Sequence, residues 1–161
     1  MTTKAYLSLG SNVEPEKHLR SAIEALRARF GDVVVSPVYR VPAVGFDGPD
    51  FLNAAAIVES DLDPLALVAW LQQLERDHGR VRGPEKFSDR TLDVVLVYFG
   101  DVVLDLDGLR LPRDELKHAF VLRPLADIAP EFIDPVRWLL RDATYVTGQV
   151  LRLDGGRMLE A

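Results

Sequence analysis

Residues 63–99 read DPLALVAWLQQLERDHGRVRGPEKFSDRTLDVVLVYF, and this succession of a helix, a basic loop and a strand decides the fold. Asp63 can cap a helix and Pro64 suits the first helical turn, so a helix is predicted to begin here. It is predicted to end at about Gly79. Its buried stripe consists of Leu67, Val68, Leu71 and Leu74. Leu92–Phe99 is apolar almost throughout, which predicts a strand in the centre of the sheet.

The preceding part of the chain supplies the other elements of the predicted fold. Lys4–Leu9 alternates between apolar and polar residues and is predicted as a strand. Residues 15–30 have one apolar face at helical spacing, with a proline in the first turn and a glycine after the last. Val33–Ser36 and Phe51–Glu59 are predicted as two further strands. The order β-α-β-β-α-β predicts a ferredoxin-like α+β sandwich, in which helices pack on an antiparallel sheet.

Composition predicts one compact domain over residues 1–161. The chain is 48% hydrophobic and 27% charged, which is enough apolar content for one good core. It has no apolar run near the ~20 residues of a membrane span, and no basic-then-apolar segment at its amino terminus. We therefore expect a cytoplasmic protein without a membrane partner.

Charge and cysteine content argue against further classes of protein. Because the sequence contains no cysteine, disulfides, thiolate metal sites and cysteine nucleophiles are excluded. The net charge of −6 argues against a nucleic-acid-binding protein, whose surface would carry a broad basic patch. Positive charge is instead concentrated in one loop, as the binding of a small phosphate compound would require.

That basic loop, residues 80–90, has the chemistry that a phosphoryl-transfer site needs. Arg80, Arg82 and Arg90 each carry a planar guanidinium group, which binds phosphate through a fork of donors. Asp93 lies where the following strand begins, and a carboxylate at such a position can hold Mg²⁺. The pattern alone leaves a second interpretation open, a solvated charged loop beside an ordinary strand.

Five sequence blocks together resemble one enzyme family. In chain order they are YLSLGSN (6–12), SPVYRVP (36–42), PDFLNAA (49–55), GRVRGPEKFSDRTLDVV (79–95) and AFVLRPLADIAP (119–130). Their order and spacing are similar to those of the 6-hydroxymethyl-7,8-dihydropterin pyrophosphokinase family. The resemblance implies ATP-dependent transfer of pyrophosphate to the hydroxymethyl group of a reduced pterin in folate biosynthesis, with release of AMP. It also implies Mg²⁺ as cofactor and the pterin and ATP as small-molecule partners, and we expect a monomer or a weak homodimer.

The resemblance further implies a set of site residues. Catalysis would involve Arg80, Arg82, Arg90 and Asp93, with Asp93 as the magnesium ligand. The pterin would be bound by Val41, Pro42, Val44, Phe51, Asn53 and Phe120. The nucleotide would contact Gln72, Glu75, Arg82, Arg90, Arg113 and His118. For Gln72 and Glu75, plain helix surface is the interpretation that the residues alone would favour.

Spacing gives the pterin residues some independent support. A pterin is a flat ring with hydrogen-bonding edges, so its pocket needs aromatic faces and amide partners. Phe51 and Asn53 are two residues apart on a predicted strand, and their side chains therefore project to the same face.

The chain departs from the family pattern on the ATP and metal side. The family has a second aspartate two positions after the first, and this chain has Val95 there. Near the end of the matching region, Arg113 replaces a histidine of the family and His118 replaces an arginine. These departures predict weakened pyrophosphoryl transfer. The alternative is a paralogue, non-catalytic or of altered function, that binds a pterin or a nucleotide.

Residues 136–161 are an atypical tail of the predicted single domain. Residues 143–157 resemble the carboxyl-terminal segment of short-chain dehydrogenases. Because the sequence has neither a glycine-rich dinucleotide loop after a strand nor a Tyr-x-x-x-Lys pair, reductase activity is not supported. We interpret the tail as a terminal strand with a turn at Gly155-Gly156, packed on the sheet.

Overall fold

The computed structural model describes residues 1–80, 89–106, 108–129, 151–154 and 157–160. The helices are α1 (Pro15–Phe30), α2 (Pro64–Asp77) and α3 (Ala119–Ile128), and Asp114–Lys117 forms a 3-10 turn. The strands are β1 (Thr3–Ser11), β2 (Val33–Val35), β3 (Tyr39–Val41), β4 (Phe51–Ser60), β5 (Asp93–Phe99), β6 (Leu104–Leu106), β7 (Leu109–Leu111), β8 (Leu151–Asp154) and β9 (Arg157–Glu160). In these parts of the chain, no helix is long and apolar enough to cross a membrane.

The two predicted helices begin and end at residues whose chemistry explains the boundary. Oδ1 of Asp63 accepts a hydrogen bond from the backbone N–H of Ala66 at 2.8 Å, which satisfies a free donor of the first turn of α2. After α1, Gly31 has a φ of 84° and donates its N–H to the carbonyl of Arg27. Only glycine adopts this conformation without strain, so the helix ends there.

A five-stranded antiparallel sheet forms the centre of the fold, with β2-β4-β1-β5 as its main order. β3 pairs with the first residues of β4, beyond the end of β2. Helices α1 and α2 cover one face of the sheet, and α3 covers the other. With β3 and α3 set aside, the order through β5 is β-α-β-β-α-β, and the predicted ferredoxin-like fold is confirmed.

Each face of the sheet buries its own apolar layer, because alternate side chains of a strand point to opposite faces. The layer against α1 and α2 includes Leu7, Leu9, Leu26, Leu67, Leu71, Val94 and Leu96. The layer against α3 includes Tyr6, Ala55, Val97, Val121, Leu122 and Leu125, with Val95 and Phe120 packed against it. We call the second group the α3 layer, and the sheet surface that it covers the α3 face.

The prediction that the strand after the basic loop lies in the centre of the sheet is wrong. Among the described residues β5 pairs only with β1, and it forms one edge of the sheet. Its apolar sequence has a different cause, since both of its faces are covered: Val94 lies in the layer against α1 and α2, and Val97 in the α3 layer. Its outer edge is also partly covered, because the N–H of Arg113 donates to the carbonyl of Val97 at 3.1 Å.

Helix α3, which covers the α3 face of the sheet, was not predicted from the sequence. Its apolar residues Val121, Leu122 and Leu125 have helical spacing, but Pro124 interrupts the pattern. A proline inside a helix removes one backbone hydrogen bond and usually ends the helix. Burial of the apolar face against the sheet outweighs that local cost here.

The tail contains a pair of strands of its own. β8 and β9 pair antiparallel with each other, from Leu151 opposite Glu160 to Asp154 opposite Arg157. Within the described residues they form a separate two-stranded sheet rather than an added strand of the main sheet. The predicted turn at Gly155-Gly156 and residues 136–150 lie outside the described residues.

Candidate active site

Three residues on neighbouring strands form a row across the α3 face. Gly10 of β1 lies directly opposite Asn53 of β4 on one side and Asp93 of β5 on the other. The next row on this face lies two residues further along each strand and includes Ala55 and Val95. Ala55 belongs to the α3 layer, and Val95 packs against that layer. Because neighbouring strands are about 4.8 Å apart, Asn53 and Asp93 lie about 10 Å from each other, with Gly10 between them.

Gly10 leaves room that any larger residue would fill. A β-carbon added to it would lie 2.7 Å from Oδ1 of Asn53 and 3.8 Å from Cδ1 of Phe51. The side-chain amide of Asn53 therefore rests over Gly10, and Asn53 is only 5% exposed. The sequence predicted that Phe51 and Asn53 share a face; the role of Gly10 becomes visible only from the register between β1 and β4.

Aromatic rings lie near both predicted pterin-binding phenylalanines. The ring of Phe46, in the loop between β3 and β4, packs edge-on against Phe51 with centroids 6.3 Å apart. At the start of α3, the ring of His118 stacks on Phe120 with centroids 4.8 Å apart and planes 11° apart. Phe46 was not identified from the sequence, where a lone phenylalanine in a loop gives no positional signal.

The loop between β3 and β4, residues 42–50, contains the predicted pterin-binding residues Pro42 and Val44, and we call it the substrate loop. It begins beside Phe51. Val41 ends β3 directly opposite Phe51, whereas Pro42 and Val44 are exposed. The strand that leads into this loop is held to α3, because the hydroxyl of Tyr39 donates to a carboxylate oxygen of Asp127. Burial, and next this hydrogen bond, raise the pKa of the Tyr39 hydroxyl above its usual range.

Asn12 connects the loop after β1 to two other loops. Its amide nitrogen donates to Oδ1 of Asp89 at 2.7 Å and to the carbonyl of Pro49 at 3.3 Å. Its amide oxygen accepts the backbone N–H of Arg90 at 2.7 Å, and its own N–H donates to the Arg90 carbonyl at 3.0 Å. Asn12 is buried, so it fixes the backbone at Arg90 and holds the substrate loop near it. The residues next to Asn12 in the sequence did not predict these long-range contacts.

Two arginines converge on the carboxylate of Asp93. Nη1 of Arg80 lies 2.6 Å from Oδ1, and Nη1 of Arg90 lies 2.9 Å from Oδ2. Arg80 also donates through Nη1 to Oε1 of Glu75 at 3.0 Å. We call these four residues, Glu75, Arg80, Arg90 and Asp93, the arginine–carboxylate network; its two negative and two positive charges sum to zero.

Glu75 is the most deeply buried member of the network. Its side chain is 2% exposed, compared with 12% for Arg80 and 28% for Asp93. Besides Arg80, its Oε1 accepts the backbone N–H of Val94 at 2.9 Å. Glu75 thus ties the end of α2 to the start of β5. Glu75 is predicted from the family resemblance to contact the nucleotide, and in the structure its carboxylate pairs with Arg80.

The remaining predicted nucleotide residues are more scattered. The guanidinium of Arg113 makes a two-pronged contact with Glu115 at 2.8 and 3.0 Å. Burial raises the pKa of the Glu115 carboxyl, but the hydrogen bond from Arg113, a backbone hydrogen bond and the nearby charges of Arg113 and His118 together outweigh it, so that pKa lies below its usual range. Gln72 is half-buried on α2. Arg82 lies outside the described residues.

The described residues do not fit a resident magnesium ion at Asp93. Both carboxylate oxygens of Asp93 are paired with guanidinium groups, and Val95, two residues along the same strand face, has no oxygen to offer. Mg²⁺ requires near-octahedral coordination by oxygen. Nowhere in the described ranges do three or more His, Asp or Glu residues form a group that could hold a metal ion.

Comparisons with known sequences agree on one family. A model of the family described as 7,8-dihydro-6-hydroxymethylpterin-pyrophosphokinase (HPPK) matches residues 6–130. A 2-amino-4-hydroxy-6-hydroxymethyldihydropteridine pyrophosphokinase of Pseudomonas aeruginosa is 39% identical over 137 residues, covering 81% of this chain and 83% of the relative. A protein of the same name from Methylorubrum extorquens is 42% identical over 137 residues, covering 81% of this chain and 85% of the relative.

A solved structure supports the fold. The chain is similar to Plasmodium falciparum HPPK-DHPS with a TM-score of 0.62 at 12% sequence identity. The match covers 99% of this chain and 46% of the solved one, so this chain spans about half of that protein's length. At this identity the likeness concerns the fold alone.

Proposed function

Because the chain belongs to the 7,8-dihydro-6-hydroxymethylpterin-pyrophosphokinase family, we propose that it transfers pyrophosphate from ATP to the hydroxymethyl group of 6-hydroxymethyl-7,8-dihydropterin. Members of this family are ATP-dependent pyrophosphokinases of folate biosynthesis. The row Asn53–Gly10–Asp93 is the observation that carries the proposal. It provides an amide partner for a flat ring at one end and arginines for phosphate at the other, about 10 Å apart.

At the pterin end, the site combines hydrogen bonding with flat apolar surface. The buried amide of Asn53 presents both a donor and an acceptor to the edge of the ring. Phe51 and Phe120 supply aromatic faces, and Gly10, which has no side chain, leaves room for the Asn53 amide that would meet the edge of the ring. The substrate loop would add backbone contacts from Val41, Pro42 and Val44.

At the phosphate end, the chain's own residues act by positioning and by charge. Arg80 and Arg90, joined by Arg82, would bind the triphosphate oxygens through their guanidinium forks. The pterin hydroxyl oxygen then attacks the β-phosphorus in line and releases its proton to solvent, while the bond from that phosphorus to the oxygen bridging to the α-phosphate breaks and its electron pair stays on that oxygen. AMP leaves, and the charge of the triphosphate is stabilised by the arginines throughout. Gln72, Arg113 and His118 would contact the nucleotide further out.

We propose that the protein holds no magnesium ion of its own; Mg²⁺ would reach the site only as the counter-ion of ATP, where it would neutralise triphosphate charge. Asp93 has no second carboxylate beside it on the strand, since Val95 takes that position. One protein oxygen ligand gives a weak hold on an ion that prefers six oxygens. Pyrophosphoryl transfer should consequently be slower than in family members with both aspartates.

The second candidate function is a paralogue, non-catalytic or of altered function, that binds a pterin or a nucleotide. Val95 favours it, because this departure falls on the phosphoryl-transfer side of the site while Phe51, Asn53 and Phe120 are retained. Separate calorimetric titrations with 6-hydroxymethyl-7,8-dihydropterin and with α,β-methylene ATP distinguish the two candidates in part. We expect both ligands to bind when each is titrated with the other already present; binding of one ligand alone under both orders of addition would contradict a two-substrate enzyme.

We also propose that the chain works in the cytoplasm, as a monomer or a weak homodimer, without nucleic-acid or membrane partners. The net charge of −6 supports this for nucleic acids, since anionic partners would be repelled outside the arginine-rich site.

Replacing Gly10 with alanine should weaken pterin binding about tenfold, which corresponds to about 1.4 kcal/mol. The new β-carbon would lie 2.7 Å from Oδ1 of Asn53 and force the amide away from its position. Calorimetry with the pterin measures the change. In an Asn53→Ala background the same substitution should cost less than about twofold, because the clashing atom is gone. Equal losses in both backgrounds would show that the Gly10–Asn53 contact is not the cause.

Replacing Val95 with aspartate should raise the rate of AMP release at least ~10-fold, because each ~1.4 kcal/mol of transition-state stabilisation is a factor of ten. The strand directs this side chain to the same face as Asp93. Burial of a new carboxylate opposes the gain, so the variant should be less stable without Mg²⁺ and nucleotide than with them. Val95→Asn, of similar shape but uncharged, is the matched control and should give no increase. Full turnover in the parent, with no gain from Val95→Asp, would contradict the prediction.

A further inference from the structure

Both carboxylate oxygens of Asp93 already have arginine partners. Its two oxygens lie 2.6 and 2.9 Å from nitrogens of two different arginines, distances typical of strong charge-assisted hydrogen bonds. A magnesium ion at Asp93 would have to displace Arg80, Arg90 or both. Val95 offers no oxygen with which the ion could be shared.

Displacement would be unfavourable because Arg80 is poorly exposed. Its side chain is 12% exposed and would retain only Glu75 as a charged partner among the described residues. Removal of one member of a buried ion pair leaves the other charge uncompensated, and the arriving cation adds two more positive charges. The four-residue network is therefore most stable with Asp93 facing the arginines.

Arg80 is held in a way that leaves part of its guanidinium unused. Its hydrogen bonds to Glu75, to the carbonyl of Leu92 and to Asp93 all come from Nη1. Within the described residues, Nη2 and Nε donate to no acceptor, so the outer side of the fork remains available for phosphate oxygens. The backbone at Arg90 is fixed independently, by its two hydrogen bonds with Asn12.

From these contacts we propose that Asp93 is a positioning residue, which holds Arg80 and Arg90 for the triphosphate, and is not the ligand of a protein-bound magnesium ion. Glu75 supports the same arrangement from beneath. The arginines then meet the charge of the nucleotide directly, and nucleotide binding does not require Mg²⁺. This inference rests on the proposed function, because it assigns the triphosphate of ATP to this network.

The test is calorimetric titration of the full chain with α,β-methylene ATP, in excess Mg²⁺ and in EDTA. For the parent we expect the two dissociation constants to differ by less than ~3-fold. Asp93→Asn should keep that ratio, whatever the change in absolute affinity. Val95→Asp, which adds the second carboxylate, should bind at least ~10-fold more tightly with Mg²⁺ than with EDTA. Circular dichroism of each variant checks that it is folded.

A parent that binds at least ~10-fold more tightly with Mg²⁺ would overturn the inference, whether or not Asp93→Asn abolishes the difference. Loss of that difference in Asp93→Asn would identify Asp93 as a metal ligand after all. No binding in either solution would overturn both the inference and the proposed function. Magnesium-dependent binding would leave the proposed function intact, so the two failures are distinguishable.

Discussion

Replacing Glu75 with alanine should lower the free energy of unfolding by about 3–5 kcal/mol, the largest effect that we expect of any single substitution. The carboxylate is 2% exposed and balances the charge of Arg80, which is itself 12% exposed. It also accepts the N–H of Val94, which would lose this acceptor at the start of β5. Urea denaturation monitored by circular dichroism measures the change.

Two control variants separate the charge of Glu75 from its shape and from general effects. Glu75→Gln retains an oxygen for the N–H of Val94 and should lose less stability than Glu75→Ala. Glu24→Ala removes an exposed glutamate of α1 and should change the free energy of unfolding by less than about 0.5 kcal/mol. If Glu75→Ala were as mild as Glu24→Ala, the network would not contribute to the stability of the fold.

Replacing Asn53 with alanine should weaken pterin binding about 10- to 100-fold, because an unpaired hydrogen-bonding group in a buried site costs about 1–3 kcal/mol. Asn53 is 5% exposed, so water cannot readily take the place of its amide. Affinity for α,β-methylene ATP should stay within about twofold, since the phosphate end of the site is about 10 Å away. Calorimetric titration of each ligand measures both quantities.

Gln73→Ala provides the matched control for the loss of an amide. Gln73 is exposed on α2 and, within the described part of the chain, bonds only to other exposed residues of that helix, Asp77 and Arg76. Its removal should leave the affinity for the pterin unchanged. An Asn53→Ala variant that binds the pterin as tightly as the parent would exclude Asn53 from the pterin site.

The parts of the fold that follow local rules could be predicted from the sequence. Apolar spacing and the Asp63-Pro64 start were sufficient for α2, because helix boundaries depend on residues close in sequence. Alternation was sufficient for β1 and for the shared face of Phe51 and Asn53. The centre of the sheet could not be read in this way, since a strand covered on both faces looks equally apolar at an edge.

Only part of the site could be predicted from the sequence, because several of its residues act through contacts with residues that are distant in the chain. Glu75 follows Leu71 and Leu74 at helical spacing, so its position on the buried stripe of α2 was in fact signalled. Because charged residues are rarely buried, its charge argued against this position. Its burial is tolerated because Arg80, which follows the carboxyl-terminal end of α2, pairs with its carboxylate. Gly10 and Asn12 act through contacts with β4 and with residue 89 onwards, and such long-range register is not encoded in local pattern.

The resemblance to the family predicted Asp93 as a magnesium ligand, and the structure gives that residue other partners. Two observations have the same physical explanation. This chain has Val95 where the family has a second aspartate, and its Asp93 pairs with two arginines. A single carboxylate between two guanidinium groups is well satisfied, whereas a single carboxylate is a poor magnesium site. The departure from the family pattern thus changes the role of the residue that was retained.

The central claim is that this chain transfers pyrophosphate to a pterin, and ³¹P nuclear magnetic resonance of the reaction tests it most directly. ATP, Mg²⁺ and 6-hydroxymethyl-7,8-dihydropterin are incubated with the parent chain, and the phosphorus resonances are followed. We predict that AMP and a pterin diphosphate appear in equal amounts as ATP disappears, only when the pterin is present. Formation of ADP with a pterin monophosphate, or binding of both ligands without any pterin-dependent loss of ATP, would contradict the claim.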